Sequence, residues 1–136
     1  MIREYSKNDI NGINVLGRDL SIDYLFKEQP YRKCIIYEAN NNILGFITFD
    51  LLQDRAEILD IIVHINYRKQ GIGEKLLNKA IELMLEFNIK RVSLEVRTSN
   101  KEAVSFYKKN NFKIITTRRE YYQTKREDAY LMNREL

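Results

Sequence analysis

Residues suited to holding a phosphate group stand together near the middle of the sequence. The apolar run at residues 61–63 is followed by a basic loop with Arg68 and Lys69, two glycines, and the start of a helical pattern. A tight turn at a helix N-terminus exposes successive backbone N–H groups, and the helix end adds partial positive charge. Gly71 and Gly73 lack a Cβ, so a ligand could approach the backbone closely. The pattern predicts a phosphate-binding loop, although an ordinary strand-to-helix turn is the alternative.

Two common phosphate loops do not fit this pattern. The sequence contains no Gly-x-x-x-x-Gly-Lys-Ser/Thr and no Gly-x-Gly-x-x-Gly, and the glycines follow an internal strand. These absences disfavour a P-loop and a dinucleotide-binding fingerprint.

The spacing Arg-x-x-Gly-x-Gly after an apolar strand resembles the acetyl-CoA pyrophosphate loop of the GNAT family of N-acetyltransferases. The segment from Leu94 to Asn100, with Phe106-Tyr107 and Asn111-Phe112 after it, resembles the second half of a GNAT domain. Residues 119–122 and 127–132 resemble more narrowly the ribosomal-protein alanine N-acetyltransferases, which modify a protein's first α-amine. Residues 55–133 carry the resemblance, whereas the first 54 match only in the order of elements.

The resemblance implies an α/β (α+β) fold of the GNAT type, formed by one domain over residues 1–136. Its mixed central sheet would have about seven strands with helices on both faces and two splayed central strands. The implied activity is acetyl-CoA-dependent transfer of an acetyl group to a protein N-terminal α-amine, directly within a ternary complex. A ribosomal protein is one such acceptor, and a small-molecule amine or a lysine is the alternative.

The resemblance also assigns catalytic roles. Glu95 would be the general base, acting through water, and Tyr107 the general acid that protonates the leaving thiolate. A surface glutamate and a core aromatic residue are the respective alternatives. Asn100 would contact the cofactor or serve only as a helix cap, and the two roles can coexist. Tyr121 and Tyr122 would line the peptide side, or be sheet-edge aromatics.

Cofactor contacts are expected along the strand and the loop together. The backbone near Ile62 or Val63 would also supply the oxyanion donor. The residues expected to bind the cofactor are Ile61, Ile62, Val63, Arg68, Lys69, Gln70, Gly71, Ile72, Gly73, Glu74, Asn100 and Tyr107.

An α-amine demands less of its base than a lysine does. With a pKa of about 7.7–8.0, roughly a quarter of it is neutral near pH 7.4, against about 0.1% of a lysine amine. A weak or water-mediated carboxylate would therefore suffice for an N-terminal acceptor.

Composition limits the remaining functions. The chain has 136 residues with 23 Lys and Arg against 19 Asp and Glu, a net charge of +4, and one cysteine. The single Cys34 fits a cytoplasmic location, and no apolar run is long enough to span a bilayer, so no membrane association is expected. His64 has no second ligand nearby, so no metal site is expected. We expect a monomer or weak dimer that does not bind nucleic acid directly.

Patterning predicts the elements that hold these residues. Strands are expected at residues 2–5, 33–39, 43–52, 55–63, 91–96, 112–119 and 128–133, with helices after Ser6, at residues 73–87 and after Asn100. The segment Tyr24-Leu25-Phe26 is predicted to form a short second helix before Pro30, and Phe87 to lie on the apolar stripe of the long helix.

Two functions of other classes compete with catalysis. An acyl-CoA-binding module would bind the cofactor but release no thiol with any amine. A basic nucleic-acid-binding domain would lose affinity steeply with salt, but the sequence lacks a recognisable motif for it.

Overall fold

Seven strands form one sheet in the computed structural model, which describes residues 1–122 and 127–136, with the side chains of 120–122 outside the description. The sheet order is β1-β2-β3-β4-β5-β7-β6. The strands are β1 (Ile2–Glu4), β2 (Arg32–Ala39), β3 (Asn42–Leu52), β4 (Arg55–Val63), β5 (Arg91–Arg97), β6 (Lys113–Tyr122) and β7 (Glu127–Glu135). The helices are α1 (Ile10–Gly17), α2 (Ile72–Glu86) and α3 (Lys101–Lys109).

The sheet is mixed, because β4 and β5 run parallel while the other neighbouring strands are antiparallel. The connection between β4 and β5 contains α2, as a parallel crossover requires. Pairing of β4 with β5 ends at Ile58 and Leu94, although both strands continue. The two strands therefore diverge, which confirms the predicted splayed sheet and leaves a fork beyond Ile58.

Apolar residues pack on both faces of the sheet. On one face, α2 and α3 enclose the larger core cluster, which includes Leu76, Leu94 and Tyr107. On the other face, α1 packs with the smaller cluster, which includes Ile36 and Ile62. The period of two in the strands produces this division, since alternate side chains point to opposite faces.

A bulge in β4 resets this alternation just before the fork. Thr48 of β3 pairs with Asp60, whereas the adjacent Phe49 pairs with Ile58. The extra residue leaves Ile58 and Ile61 on the larger-cluster side and turns Asp60 toward the face that bears α1.

The predicted helix at residues 24–26 is wrong. The segment from 18 to 31 contains turns but no helix. The backbone N–H of Phe26 donates to Asn14 Oδ1 at 2.7 Å, and its ring is buried against the smaller cluster. Tyr24 packs on Phe46 with ring centroids 5.8 Å apart. Tertiary packing, which a local pattern does not reveal, therefore fixes this segment.

The long helix also differs in one detail from its predicted stripe. Ile72, Leu76, Ala80 and Met84 are buried as expected. Phe87, however, lies just past the end of α2 and its side chain is 50% exposed. The chain turns at Asn88 with a φ of 58°, so Phe87 no longer follows the helical face.

Candidate active site

A cleft of about 570 Å³ opens between the end of β4, the start of α2 and one side of α3. Eleven of the twelve residues expected to bind a cofactor line it: Ile61, Ile62, Val63, Arg68, Lys69, Gly71, Ile72, Gly73, Glu74, Asn100 and Tyr107. Gln70 lies in the same loop but does not line the cleft. Residues singled out in three separate elements therefore line one continuous surface.

The loop before α2 has the backbone geometry of an anion site. Lys69 and Gly71 have φ angles of 60° and 82°, both in the left-handed region. A Cβ built at Gly71 would find no atom within 4 Å, so that side of the loop is open. The N–H groups of residues 72–74 precede the first hydrogen bond of α2, which joins Lys75 N to Gly71 O at 3.1 Å. Such donors lack helical partners and are available to an anion.

Gly73 lines the cleft beside the Phe106 ring of α3. A Cβ there would lie 3.4 Å from the Phe106 ring of α3. That distance is an ordinary van der Waals contact, so the start of α2 packs directly beside α3 at one side of the cleft.

Charged groups surround the mouth of the cleft. The Lys109 ammonium lies 3.1 Å from the Glu74 carboxylate, linking the end of α3 to the start of α2. Arg68 Nε donates to the Val63 carbonyl oxygen at 2.9 Å, which folds this side chain back onto β4. Lys109 was missed at the sequence level, because nothing in its spacing relates it to the loop.

Tyr107 is 5% exposed and still lines the cleft. Its ring packs between Phe106 and Phe112, with centroid distances of 5.3 and 5.4 Å. Burial raises the pKa of its hydroxyl above the ordinary value, and the negative charge of Asp60 adds to the rise. The hydroxyl therefore remains protonated throughout the neutral range. Core packing and a place at the cleft, which were alternatives at the sequence level, coexist in this residue.

Asn100 likewise combines two positions. Its side-chain oxygen accepts a hydrogen bond from Ala103 N at 3.1 Å, so it caps α3. The same residue lines the cleft. The helix cap and a cofactor contact are thus compatible.

Glu95 lies outside this cleft, on the opposite face of the sheet. Its neighbours Leu94 and Val96 belong to the larger cluster, so the carboxylate points the other way. Oε1 lies 2.8 Å from Arg118, and Oε2 is buried without a hydrogen-bond partner in the part of the chain that the structure describes. It lines a second groove, together with Arg55 and Asn133. Glu95 therefore lies just beyond Leu94, the last residue of β5 that pairs with β4, on the face away from the first cleft.

Tyr121 and Tyr122 are placed in the backbone of β6, but their side chains lie outside the described part of the structure. Their expected role on the peptide side stays a prediction. Within residues 1–122 and 127–136, no group of three His, Cys, Asp or Glu residues could hold a metal ion. None of the described helices is long and apolar enough to cross a membrane.

Comparison with known proteins agrees with this geometry. The sequence profile of the Acetyltransferase (GNAT) family matches residues 4–112. A Bacillus subtilis protein provisionally named as a ribosomal protein bS18-alanine N-acetyltransferase is 36% identical over 77% of this chain and 70% of its own length. The ribosomal protein bS18-alanine N-acetyltransferase of Escherichia coli is 35% identical over 68% of this chain, and the match spans 64% of that protein, less than two thirds.

Solved structures extend the similarity to the whole chain. The crystal structure of Ard1 from Thermoplasma volcanium superposes with a TM-score of 0.86 at 31% identity, covering 100% of this chain and 97% of that one. The N-terminal third, which the sequence matched only in element order, therefore follows the same architecture.

Proposed function

Because the chain belongs to the GNAT family of acetyltransferases, we propose that it transfers the acetyl group of acetyl-CoA to the α-amine of a protein N-terminus. The observation that carries this proposal is the cleft that runs from the glycine loop to the fork between β4 and β5. Relatives named as ribosomal protein bS18-alanine N-acetyltransferases support the choice of a protein acceptor. We further propose that residues 1–136 form a single domain, and that it acts as a monomer or weak dimer in the cytoplasm.

The cofactor's diphosphate would bind at the start of α2. Free N–H groups of residues 72–74, the open side of Gly71 and the cations Arg68 and Lys69 suit a doubly charged anion. Lys109 can exchange its exposed ion pair with Glu74 for a phosphate, because exposed pairs contribute little stability. Acetyl-CoA supplies an activated thioester whose acyl carbon accepts a nucleophile.

The fork would receive the thioester end of the cofactor. Beyond Ile58, β4 has no ladder partner on its β5 side, so backbone groups there are available to a ligand. An N–H near Ile62 or Val63 would donate to the oxyanion, an effect worth about 3–4 kcal/mol in other enzymes. The remaining strand pairing with β3 keeps these groups rigid.

The two proton transfers of the reaction would involve residues on opposite faces of the sheet. Tyr107, on the cofactor side, would donate its proton to the sulfur as the thiolate leaves. Glu95, on the other face, would accept a proton from the attacking nitrogen, directly or through water. The acceptor would therefore enter from the α1 face and meet the thioester in the fork, forming a ternary complex without a covalent enzyme intermediate.

The test uses the purified full chain, acetyl-CoA and a hexapeptide that begins with alanine. Release of free thiol is compared with that seen with two control peptides. Both carry an acetylated N-terminus, and only the second contains a lysine. We expect release only with the free α-amine. Thiol release with the lysine peptide alone would identify the lysine side chain, and not the α-amine, as the acceptor. Tight acetyl-CoA binding without thiol release with any peptide or small amine would favour a non-catalytic binding module.

A further inference from the structure

A second carboxyl group, Asp60, lies beside the fork on the face from which the acceptor would enter. It follows the bulge in β4, two residues after pairing with β5 ends at Ile58. It immediately precedes Ile61, which lines the cofactor cleft. Glu95 of β5 points to this same face, so the two carboxyl groups flank the fork on diverging strands.

Within the residues that the structure describes, hydrogen bonds rather than an ion pair hold the Asp60 carboxyl group. Thr48 Oγ1 donates to Asp60 Oδ2 at 3.2 Å, and the Tyr24 hydroxyl interacts with the same carboxyl group. The charge of Arg32 acts on Asp60, but the Nε and Nη2 of Arg32 donate to Asp50 at 2.8 and 3.1 Å. A buried carboxylate without a cation is costly, and hydrogen bonds alone offset only part of that cost.

Titration of the carboxyl group reflects this environment. Burial raises the pKa of Asp60, while the hydrogen bonds from Thr48 and Tyr24 oppose the rise and distant Arg32 opposes it more weakly. Among the described residues, Cys34 of β2 and Tyr107 of α3 lie near enough for the charge of Asp60 to raise their pKa values, and Glu95 of β5 points to the same face as Asp60. None of these three carries a positive charge, so within the described residues the charge of Asp60 is offset only by Arg32, which is already paired with Asp50.

We propose that Asp60 binds the α-ammonium group of the acceptor and so positions the amine at the fork, where Glu95 takes its proton. The inference rests on the proposed function. An α-amine with a pKa of about 7.7–8.0 arrives mostly as the ammonium ion at neutral pH. Asp60 holds that ion, the nitrogen then loses one proton to Glu95, and its lone pair becomes available for attack. Tyr24 links the segment 18–31 to this ammonium site, since it also packs on Phe46.

The pH dependence of acceptor binding follows from the titrations of the Asp60 carboxyl group and of the acceptor amine. Below the pKa of Asp60 the carboxyl group is neutral, and above the pKa of the amine the acceptor is neutral. Affinity is therefore expected to rise with pH through the Asp60 pKa and to fall above about pH 8. A peptide without an α-amine would show neither change.

The experiment compares an alanine-initiated hexapeptide with the same peptide carrying a propionyl group in place of alanine. Their dissociation constants are measured by calorimetry with the wild type and with Asp60→Asn, which keeps an acceptor oxygen for Thr48. We expect the wild type to bind the free-amine peptide at least about tenfold more tightly at pH 7, and Asp60→Asn to bind both peptides equally. Tyr24→Phe, which leaves the carboxyl group in place, should retain most of the preference.

An unchanged preference in Asp60→Asn, or a wild type that binds both peptides equally, would overturn the inference. Acetyl-CoA affinity and the melting temperature are measured in parallel, and Asp60→Glu should restore part of the preference if charge rather than packing is responsible. Kinetically, Asp60→Asn should raise the KM for the peptide more than it lowers kcat. A wild type that binds the amine peptide selectively but transfers no acetyl group would contradict the proposed function and leave the ammonium site supported.

Discussion

Glu95 Oε1 of β5 lies 2.8 Å from the Arg118 guanidinium of β6, on the sheet face opposite the cofactor cleft. The pair spans β7, which lies between these two strands. The pair holds the Glu95 carboxylate in a fixed orientation, with its side chain 16% exposed. Its Oε2 is buried without a hydrogen-bond partner in the described part of the chain, so one carboxylate oxygen remains an unsatisfied acceptor. This arrangement separates a proton acceptor from the proton donor Tyr107 by the thickness of the sheet.

Replacement of Glu95 by Gln should reduce kcat with an alanine-initiated peptide by about 10- to 100-fold at pH 6.5, because general base catalysis typically contributes a factor of this order or more. The reduction should be smaller at pH 9, where the amine is already neutral. Initial rates across this pH range provide the measurement. An equal, small reduction at every pH would remove Glu95 from proton transfer.

The substitution Tyr107→Phe should lower kcat by about tenfold or more and leave acetyl-CoA affinity nearly unchanged, since the ring would still pack between Phe106 and Phe112. Burial raises the pKa of the Tyr107 hydroxyl, so ionisation of this phenol should cause no loss of wild-type rate up to about pH 10. Steady-state kinetics and calorimetry check the two halves of this prediction. Unchanged turnover in Tyr107→Phe would eliminate its role as an acid.

Gly71→Val should abolish acetyl-CoA binding, because the branched side chain would project into the open side of the loop. At a φ of 82° an added Cβ also costs about 1–2 kcal/mol. Gly71→Asn separates these effects, since Asn tolerates the left-handed region better. We expect Asn to preserve the melting temperature more than Val does and still to weaken cofactor binding. Normal cofactor affinity in a folded Val variant would mean that the phosphate does not lie at this loop.

Gly17→Ala should destabilise the fold by about 1–3 kcal/mol through overpacking. A Cβ at Gly17 would lie 2.1 Å from Tyr24 Cδ1, within a ring that cannot move without leaving Phe46. Gly12→Ala is the matched control in the same helix, because its Cβ would meet only the flexible end of Ile43, at 2.9 Å. Chemical denaturation measures both variants. Equal stability of the two would contradict the packing of segment 18–31 described above.

An ion pair near the N-terminus should make stability depend on acidity. Two hydrogen bonds from Arg3, at 2.8 and 3.0 Å, lower the pKa of Asp9. A carboxyl group with a lowered folded-state pKa stabilises the protein above its unfolded value of about 3.9, and this contribution disappears as pH falls through the folded value. Arg3→Met should therefore cost about 1–2 kcal/mol at pH 7 and less below pH 3. Denaturation curves at both pH values test this, and an equal cost at each would contradict it.

Local chemistry made much of the fold predictable. The alternation of apolar residues along β2 to β5 and the period of α2 determine which side chains meet. Segment 18–31 was not predictable, because the hydrogen bond from Phe26 to Asn14 and the stacking of Tyr24 join residues distant in sequence.

The site was predictable where the residues are contiguous and missed where the fold brings them together. The loop at residues 68–74 carries its signal in its spacing. Asp60 carries no such signal in the sequence, because its place beside the fork depends on the bulge in β4 opposite Thr48. Lys109 reaches the cleft because the fold places the end of α3 beside the start of α2.

A crystal structure with acetyl-CoA would show whether the glycine loop binds the diphosphate of the cofactor. We expect the diphosphate within hydrogen-bond distance of the backbone N–H groups of residues 71–74, with the thioester in the fork between β4 and β5. A cofactor bound elsewhere, or amides that turn away from its phosphates, would contradict the account.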